Sequence, residues 1–245
     1  MQDSIPKDHP RYESLMLRQL LADGMAKGLV HETGLIAHGR GEAFDYLLGE
    51  KSCDVALEAE KVAAAQLLLA ERPVTSVNGN VVALVADDCV ELSGCVPAVL
   101  EVNLFHRTDE RVGLLVDELK AHGAKKVLGL NALERIPGLT HDRGLCERDG
   151  IFSSDVVLVP LEDGDRCQAL KSMGKFVITI DLNPLSRTAR SADITIVDNV
   201  CRALRNITKY VKELKAVDVS ALKSLVNQWD NKQGLHAVLI LLLKD

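Results

Sequence analysis

Apolar residues recur along this chain with two different periods, and the change falls near Pro73. Over residues 1–72 the spacing is helical. The segment HPRYESLMLRQLLADGMAKGLV sets Leu17, Leu20, Leu21 and Met25 on one face, with Pro10 suited to a first turn. In GLIAHGRGEAFDYLLGEKS, residues 34–52, three glycines fall within eight residues (Gly34, Gly39, Gly41), so a flexible turn is expected before a helix that starts in EAFDYLLGE. A third helix, CDVALEAEKVAAAQLLLAE, is rich in alanine and ends before Pro73.

From Pro73 onward, short β-branched runs alternate with amphipathic segments. The runs are PVTSV, AVLEVNLF, KKVLGL, SDVVLVP, KFVITI and ADITIV, each apolar enough to be covered on both faces. Between them lie RTDERVGLLVDELKAHG, DRCQALKSMG and NVCRALRNITKYVKELK, which read as helices. This alternation predicts an α/β fold with a largely parallel, doubly wound sheet. Residues 131–153 are too long for an ordinary connector and are expected to form a surface loop or lid.

The 245 residues, 47% hydrophobic and 26% charged, suffice for one substantial core, so residues 1–245 are expected to form one unit with a helical part over 1–72 and an α/β part over 73–245. A net charge of -6 without any basic block argues against nucleic acid and membrane surfaces as partners. The six cysteines are scattered without a C-x-x-C pair and no signal-like start is visible, which points to reduced thiols in the cytoplasm. The apolar run LHAVLILLL is too short to span a bilayer and is expected to be a buried helix or half of an interface between copies.

Ligands of such sheets collect beyond the carboxyl ends of the strands. The residues there are Asn78, Gly79 and Asn80 after TSV, then Asn103, Phe105, His106, Arg107 and Thr108 after VLEV. DLNPLSRTA follows VITI, and DNV follows TIV. Asp181 and Asn183 suit ribose hydroxyls and a base edge, Arg187 follows a Pro-Leu-Ser turn that opens a helix, and Asp198 and Asn199 end the next strand. The same residue types also serve as turns and caps. Arg107 suits an anionic substrate or is a surface charge, while Thr108 is an N-cap. Gly79 and Asn80 act as turn and cap, or their neighbourhood of amides lines a pocket.

The glycine segment has two readings. Arg40 at a helix N-terminus would offer a guanidinium and free N–H groups to a phosphate or carboxylate, or the glycines only supply positive φ between helices. GRGEAF is not a dinucleotide fingerprint, because Phe44 stands where its third glycine belongs, and GEKS fails as a P-loop since Glu50 separates Gly49 from Lys51. His9, His31, His122, His141 and His236 lack metal-ligand spacing, and His38 and His106 are single polar candidates, so no protein-built metal site is expected. No Gly-x-Ser-x-Gly elbow or cysteine nucleophile context is present.

Assembled, the strings IPKDHPRYESL, GLIAHGRGEAFDYLLGEK, SVNGNVVAL, EVNLFHRTDERV, LVPLEDGDR and IDLNPLSRTARSADITIVDNV resemble the archaeal phosphopantothenate synthetase family over nearly the whole chain. The resemblance implies an ATP-dependent ligase with a Rossmann-like core that works as a homodimer and joins 4-phosphopantoate to β-alanine, releasing AMP and pyrophosphate through an acyl-adenylate. It places ATP contacts on Arg18, Arg40, Asp181, Leu182, Asn183, Arg187, Thr188, Asp198 and Asn199. The chain departs from the family pattern in the apolar tail GLHAVLILLLKD and in Cys201 after DNV.

An acyl-adenylate needs fixed cations and Mg²⁺ around the α-phosphate, a role suited to Arg18, Arg40 and Arg187. The substrate's own phosphate needs a second anion site, assigned to Arg107 with Asn78, Asn80 and Asn103. β-Alanine must lose its ammonium proton, to His38 or Glu42. Two other classes compete: a nicotinamide-dependent oxidoreductase, which predicts a Gly-x-Gly-x-x-Gly turn that VNGNVVAL lacks, and a nucleotide sensor or scaffold that binds ATP without turnover.

Overall fold

A computed structural model describes residues 5–161 and 163–243. Glu162 of the LVPLEDGDR string and Lys244 and Asp245 of the tail lie outside the described residues, as do residues 1–4.

Three helices come first: α1 (Tyr12–Ala26), α2 (Glu32–Leu47) and α3 (Asp54–Leu69). Then β1 (Val74–Val77), α4 (Gly79–Cys95), β2 (Val99–Val102), α5 (Asp109–Ala121) and β3 (Val127–Leu128) alternate. An insertion follows, built from the short hairpin β4 (Glu134–Arg135) and β5 (Leu145–Cys146) with single 3-10 and π turns. The chain returns to the sheet with β6 (Val156–Pro160), α6 (Gly164–Ser172), β7 (Phe176–Ile180), α7 (Arg187–Ser191) and β8 (Ile194–Ile196). Helices α8 (Val200–Leu214), α9 (Val219–Gln228) and α10 (Asn231–Leu242) end it.

The main sheet is six-stranded in the order β3-β2-β1-β6-β7-β8, and every pairing in it is parallel. All six predicted runs are its strands. Alternation along them sends side chains to two cores: Val156 and Leu158 join Ile178, Ile180 and the α3, α4 and α8 residues on one face. Val157, Val159 and Val177 meet α6 and the insertion on the other. The strand order reverses between β1 and β6, the place where doubly wound sheets open a ligand crevice.

Four expectations are corrected. The glycine segment is not a turn: residues 34, 39 and 41 lie inside α2, whose N-cap is His31, and none of the three has positive φ. EAFDYLLGE is the end of that helix rather than its start. On α1, Leu21 is buried and Leu17 packs beside the core, but Leu20 and Met25 are exposed because the contact stripe is narrower than the apolar one. Residues 131–153 are no open lid, since Ile136, Leu139, Cys146 and Ile151 are buried in the second core. Of the apolar tail, α10 buries Leu235 and Val238 and leaves Ile240, Leu241 and Leu243 exposed. The six cysteines are all free, and among the described residues no helix is long and apolar enough to cross a membrane.

Candidate active site

A cavity of about 560 Å³ opens over the carboxyl ends of the strands, across the β1–β6 reversal. Its size is that of a small-molecule site. Helix α2 forms one wall with His38, Arg40, Gly41 and Phe44.

That wall lies close because Gly34 lacks a side chain: a β-carbon there would sit 2.3 Å from Asn80 Oδ1. The Asn80 amide donates to the Gly34 carbonyl at 2.8 Å, tying α2 to the start of α4. Gly34 therefore permits helix approach instead of a turn, while a β-carbon on Gly39 would meet nothing within 4 Å. Asn78, not Asn80, is the N-cap of α4, accepting from Val81 N at 3.1 Å. Its amide donates to the Pro160 and Leu161 carbonyls, which locks β1 to β6 at the crevice. Gly79 must be glycine because a β-carbon would meet the Leu29 carbonyl at 2.2 Å.

At one end of the cavity stand Asp181, Leu182, Asn183, Ser186, Thr188 and Asn199, from the ends of β7 and β8. The Asp181 carboxylate accepts from Asn183 N and from the Ser186 hydroxyl, and Ser186 also N-caps α7. Burial raises the Asp181 pKa; the two hydrogen bonds and the Arg40 charge oppose it. Asn199 N-caps α8 and donates its amide to Asp45 at 3.0 Å.

Beneath it, Asp198 is buried and does not line the cavity. It accepts from Ser52 and from two nitrogens of Arg202, which also binds Asp45. Asp198 thus supports Asn199 through a closed network. Glu60 is fully buried beside this network. Burial, reinforced by the Asp198 charge, pushes its pKa up to about 9.

At the other end stand His31, Asn78, Gly79, Asn80, Phe105, His106, Arg111 and Arg143. The rings of His31 and His106 stack with centroids 3.9 Å apart. Arg143 comes from the insertion and pairs with Asp163 at 3.2 Å. It is positioned by Asn103, whose buried amide donates to the Arg143 and Leu145 carbonyls. Asn103 itself does not line the cavity.

Three predicted arginines are directed elsewhere. Arg107 donates to the Gly129 carbonyl at 2.5 Å, and Arg187 pairs with Asp165 at 2.5 Å. Arg18 holds Glu42 at 2.8 Å in a separate shallow cleft shared with Arg11 and Tyr46, on the outer side of α2. Glu42 is committed there: burial raises its pKa, but hydrogen bonds from Ser14 and Arg18 outweigh burial and hold it low. His38 faces the cavity, and burial lowers its pKa against the pull of Glu42, so its imidazole is neutral near pH 7.

Sequence reasoning missed Arg111, Arg143, Phe44 and the Arg202 network. Arg202 had a local signal in its i+4 spacing from Asp198, and Arg111 had one in its place in the EVNLFHRTDERV string beyond β2.

The chain matches the phosphopantothenate/pantothenate synthetase family over residues 55–245. It is 53% identical over 237 residues to a Thermococcus onnurineus protein, covering 96% of this chain and 91% of that one. It is 56% identical over 231 residues to a Methanosarcina mazei protein, covering 94% and 91%. A Thermococcus kodakarensis protein is 52% identical over 238 residues, covering 97% and 91%. All three relatives carry the name 4-phosphopantoate–beta-alanine ligase.

Proposed function

The chain belongs to the phosphopantothenate/pantothenate synthetase family, and from that premise we propose that it is a 4-phosphopantoate–β-alanine ligase, which uses ATP to form an amide in coenzyme A biosynthesis. The observation that carries this reading is that one cavity joins a strand-end set of carboxylate and amide groups to a cationic end. A ligase must hold a nucleotide and an acid against each other, and that juxtaposition supplies much of its rate.

In this reading ATP occupies the β7–β8 end, with Asp181, Leu182, Asn183, Thr188 and Asn199 around the nucleoside and Arg40 toward the phosphates. Asp198 acts from below, as the support of Asn199. Arg18 and Arg187 reach the triphosphate only by exchanging Glu42 and Asp165 for phosphate oxygens. Mg²⁺ enters with ATP as part of the substrate. Among the described residues no cluster of three His, Cys, Asp or Glu is set to hold a metal, which suits an ion carried mainly by phosphate oxygens and water.

The acid's carboxylate oxygen attacks the α-phosphorus, and pyrophosphate leaves. The β-alanine amine then attacks the acyl carbon, the amide C–N bond forms, and AMP leaves. His38 is the group placed to accept the ammonium proton, being neutral and at the cavity wall. Asn78 and Asn80 hold the acid's end of the cavity in shape.

We extend the proposal to a cytoplasmic homodimer: Ile36, Tyr46 and Leu47 on α2, with Leu20 and Met25 on α1, expose apolar surface that a second copy would cover. Light scattering at a monomer mass would reject the dimer. The ligase itself is tested by incubating the protein with ATP, Mg²⁺, β-alanine and either pantoate or 4-phosphopantoate. AMP and an amide formed only with the phosphorylated acid are expected. ATP binding without AMP from either acid would instead favour a nucleotide sensor.

A further inference from the structure

Among the described residues, no carboxylate forms an ion pair with Arg111, a cation of the cavity lining. Arg143 has Asp163 at 3.2 Å, and the Arg40 charge acts on Asp181. Arg111 instead donates to two backbone carbonyls, of His106 and Leu29, each at 2.9 Å. Its buried Nε has no acceptor among the described residues. Among the described residues no Asp or Glu lies within 4 Å of it in an ion pair, and burial is what moves its pKa, downward.

The surroundings are those of an anion site. The stacked imidazoles of His31 and His106 stand beside it, and both His106 and Arg111 oppose a positive charge on His31, after burial. The first residue of α4 is so close that a β-carbon on Gly79 would lie 2.8 Å from Arg111 Nη2. The first-turn N–H groups of Gly79 and Asn80, ahead of a kink in α4 at Val85, have no intrahelical acceptor and lie at the same point as the guanidinium. A half-buried cation met, among the described residues, by carbonyls, imidazole rings and N–H groups is completed by an incoming anion with several oxygens.

We propose that Arg111 reads the phosphate of the acid substrate and sets the enzyme's preference for the phosphorylated over the free hydroxy acid; this rests on the ligase reading above. Arg107, the sequence-based choice for that role, is directed at the Gly129 carbonyl and is absent from the cavity lining. A hydroxyl in place of the phosphate leaves Arg111 without its counter-charge, the situation in which polar sites discriminate most strongly.

The test compares Arg111→Met, Arg111→Lys and Arg107→Met with the unmodified protein, measuring AMP release with 4-phosphopantoate and with pantoate. Arg111→Met should lower kcat/KM for 4-phosphopantoate by roughly 100- to 1,000-fold while the KM for ATP moves less than about threefold, and the preference over pantoate should shrink in step. Arg111→Lys, which keeps the charge and loses the fork, should fall between. Arg107→Met should leave the preference unchanged. Equal losses toward ATP and both acids, or a preference altered by Arg107→Met alone, would overturn the assignment.

If Arg111→Met does not fold, titration of the unmodified protein with inorganic phosphate decides. The ring-proton NMR signals of His31 and His106 should shift with phosphate and stay put with pantoate; static rings reject the site. Shifted rings without any AMP production would reject the ligase reading and keep the anion subsite.

Discussion

The two ends of the cavity are built on opposite electrostatic plans. Under the β7–β8 end, Asp198 and Asp45 share Arg202, Ser52 donates to Asp198, and the Asn199 amide binds Asp45, so each charge is paired before any ligand arrives. At the β1–β2 end Arg111 faces carbonyls and imidazoles, and among the described residues no carboxylate pairs with it. The first arrangement fixes position; the second leaves interaction free energy to be realised on binding. Mutations in the first should therefore appear as stability, and in the second as ligand-linked stability and selectivity.

The sharpest way to break this contrast is Arg202→Ala. It strands two buried carboxylates, and denaturant unfolding should report a loss of about 3–5 kcal/mol with or without substrates. A loss below about 1 kcal/mol would mean the network is not a structural support.

Glu60 supplies a pH lever on the same end. Its folded pKa of about 9 lies above the unfolded glutamate range, so the folded state holds a proton that the unfolded chain releases. Stability from this group is full below the unfolded pKa and falls as pH rises to about 9, by up to roughly 1.4 kcal/mol per pH unit. Glu60→Met removes the proton and keeps the volume. Its stability should decline less between pH 6 and pH 9, the window set by the raised value, and parallel curves for the two proteins would refute the buried acid form.

Two glycines on α2 sharpen the picture at smaller scale. Gly34→Ala drives a methyl into Asn80, breaks its bond to the Gly34 carbonyl, and should destabilise by about 1–3 kcal/mol while slowing turnover. Gly39→Ala meets nothing within 4 Å and should stabilise by about 0.5–1 kcal/mol, as expected for an exposed helix interior. Thermal unfolding of the pair distinguishes a glycine required for approach from one that only weakens the helix.

The six strands, their largely parallel pairing and the polar residues after them were legible because β-branched runs and cap residues act over a few neighbours, whereas the strand order came only from the structure. Asp181, Asn183 and Asn199 were found for that reason: a strand end aims them at the crevice whatever the rest of the chain does. The glycine segment was misread since helix propensity argues against three glycines in one helix, and the compensating contact with Asn80 comes from another element. The insertion was misread likewise, because its burial depends on β6 and α6 lying beneath it.

Arg107 and Arg111 mark the boundary most clearly. By itself the sequence determined that a cation would stand beyond β2, since EVNLFHRTDERV ends a strand, caps a helix at Thr108 and carries both arginines. Only the tertiary structure decided which guanidinium faces the cavity, because Gly129 captures one and Leu29 orients the other, and those carbonyls are brought there from distant parts of the chain.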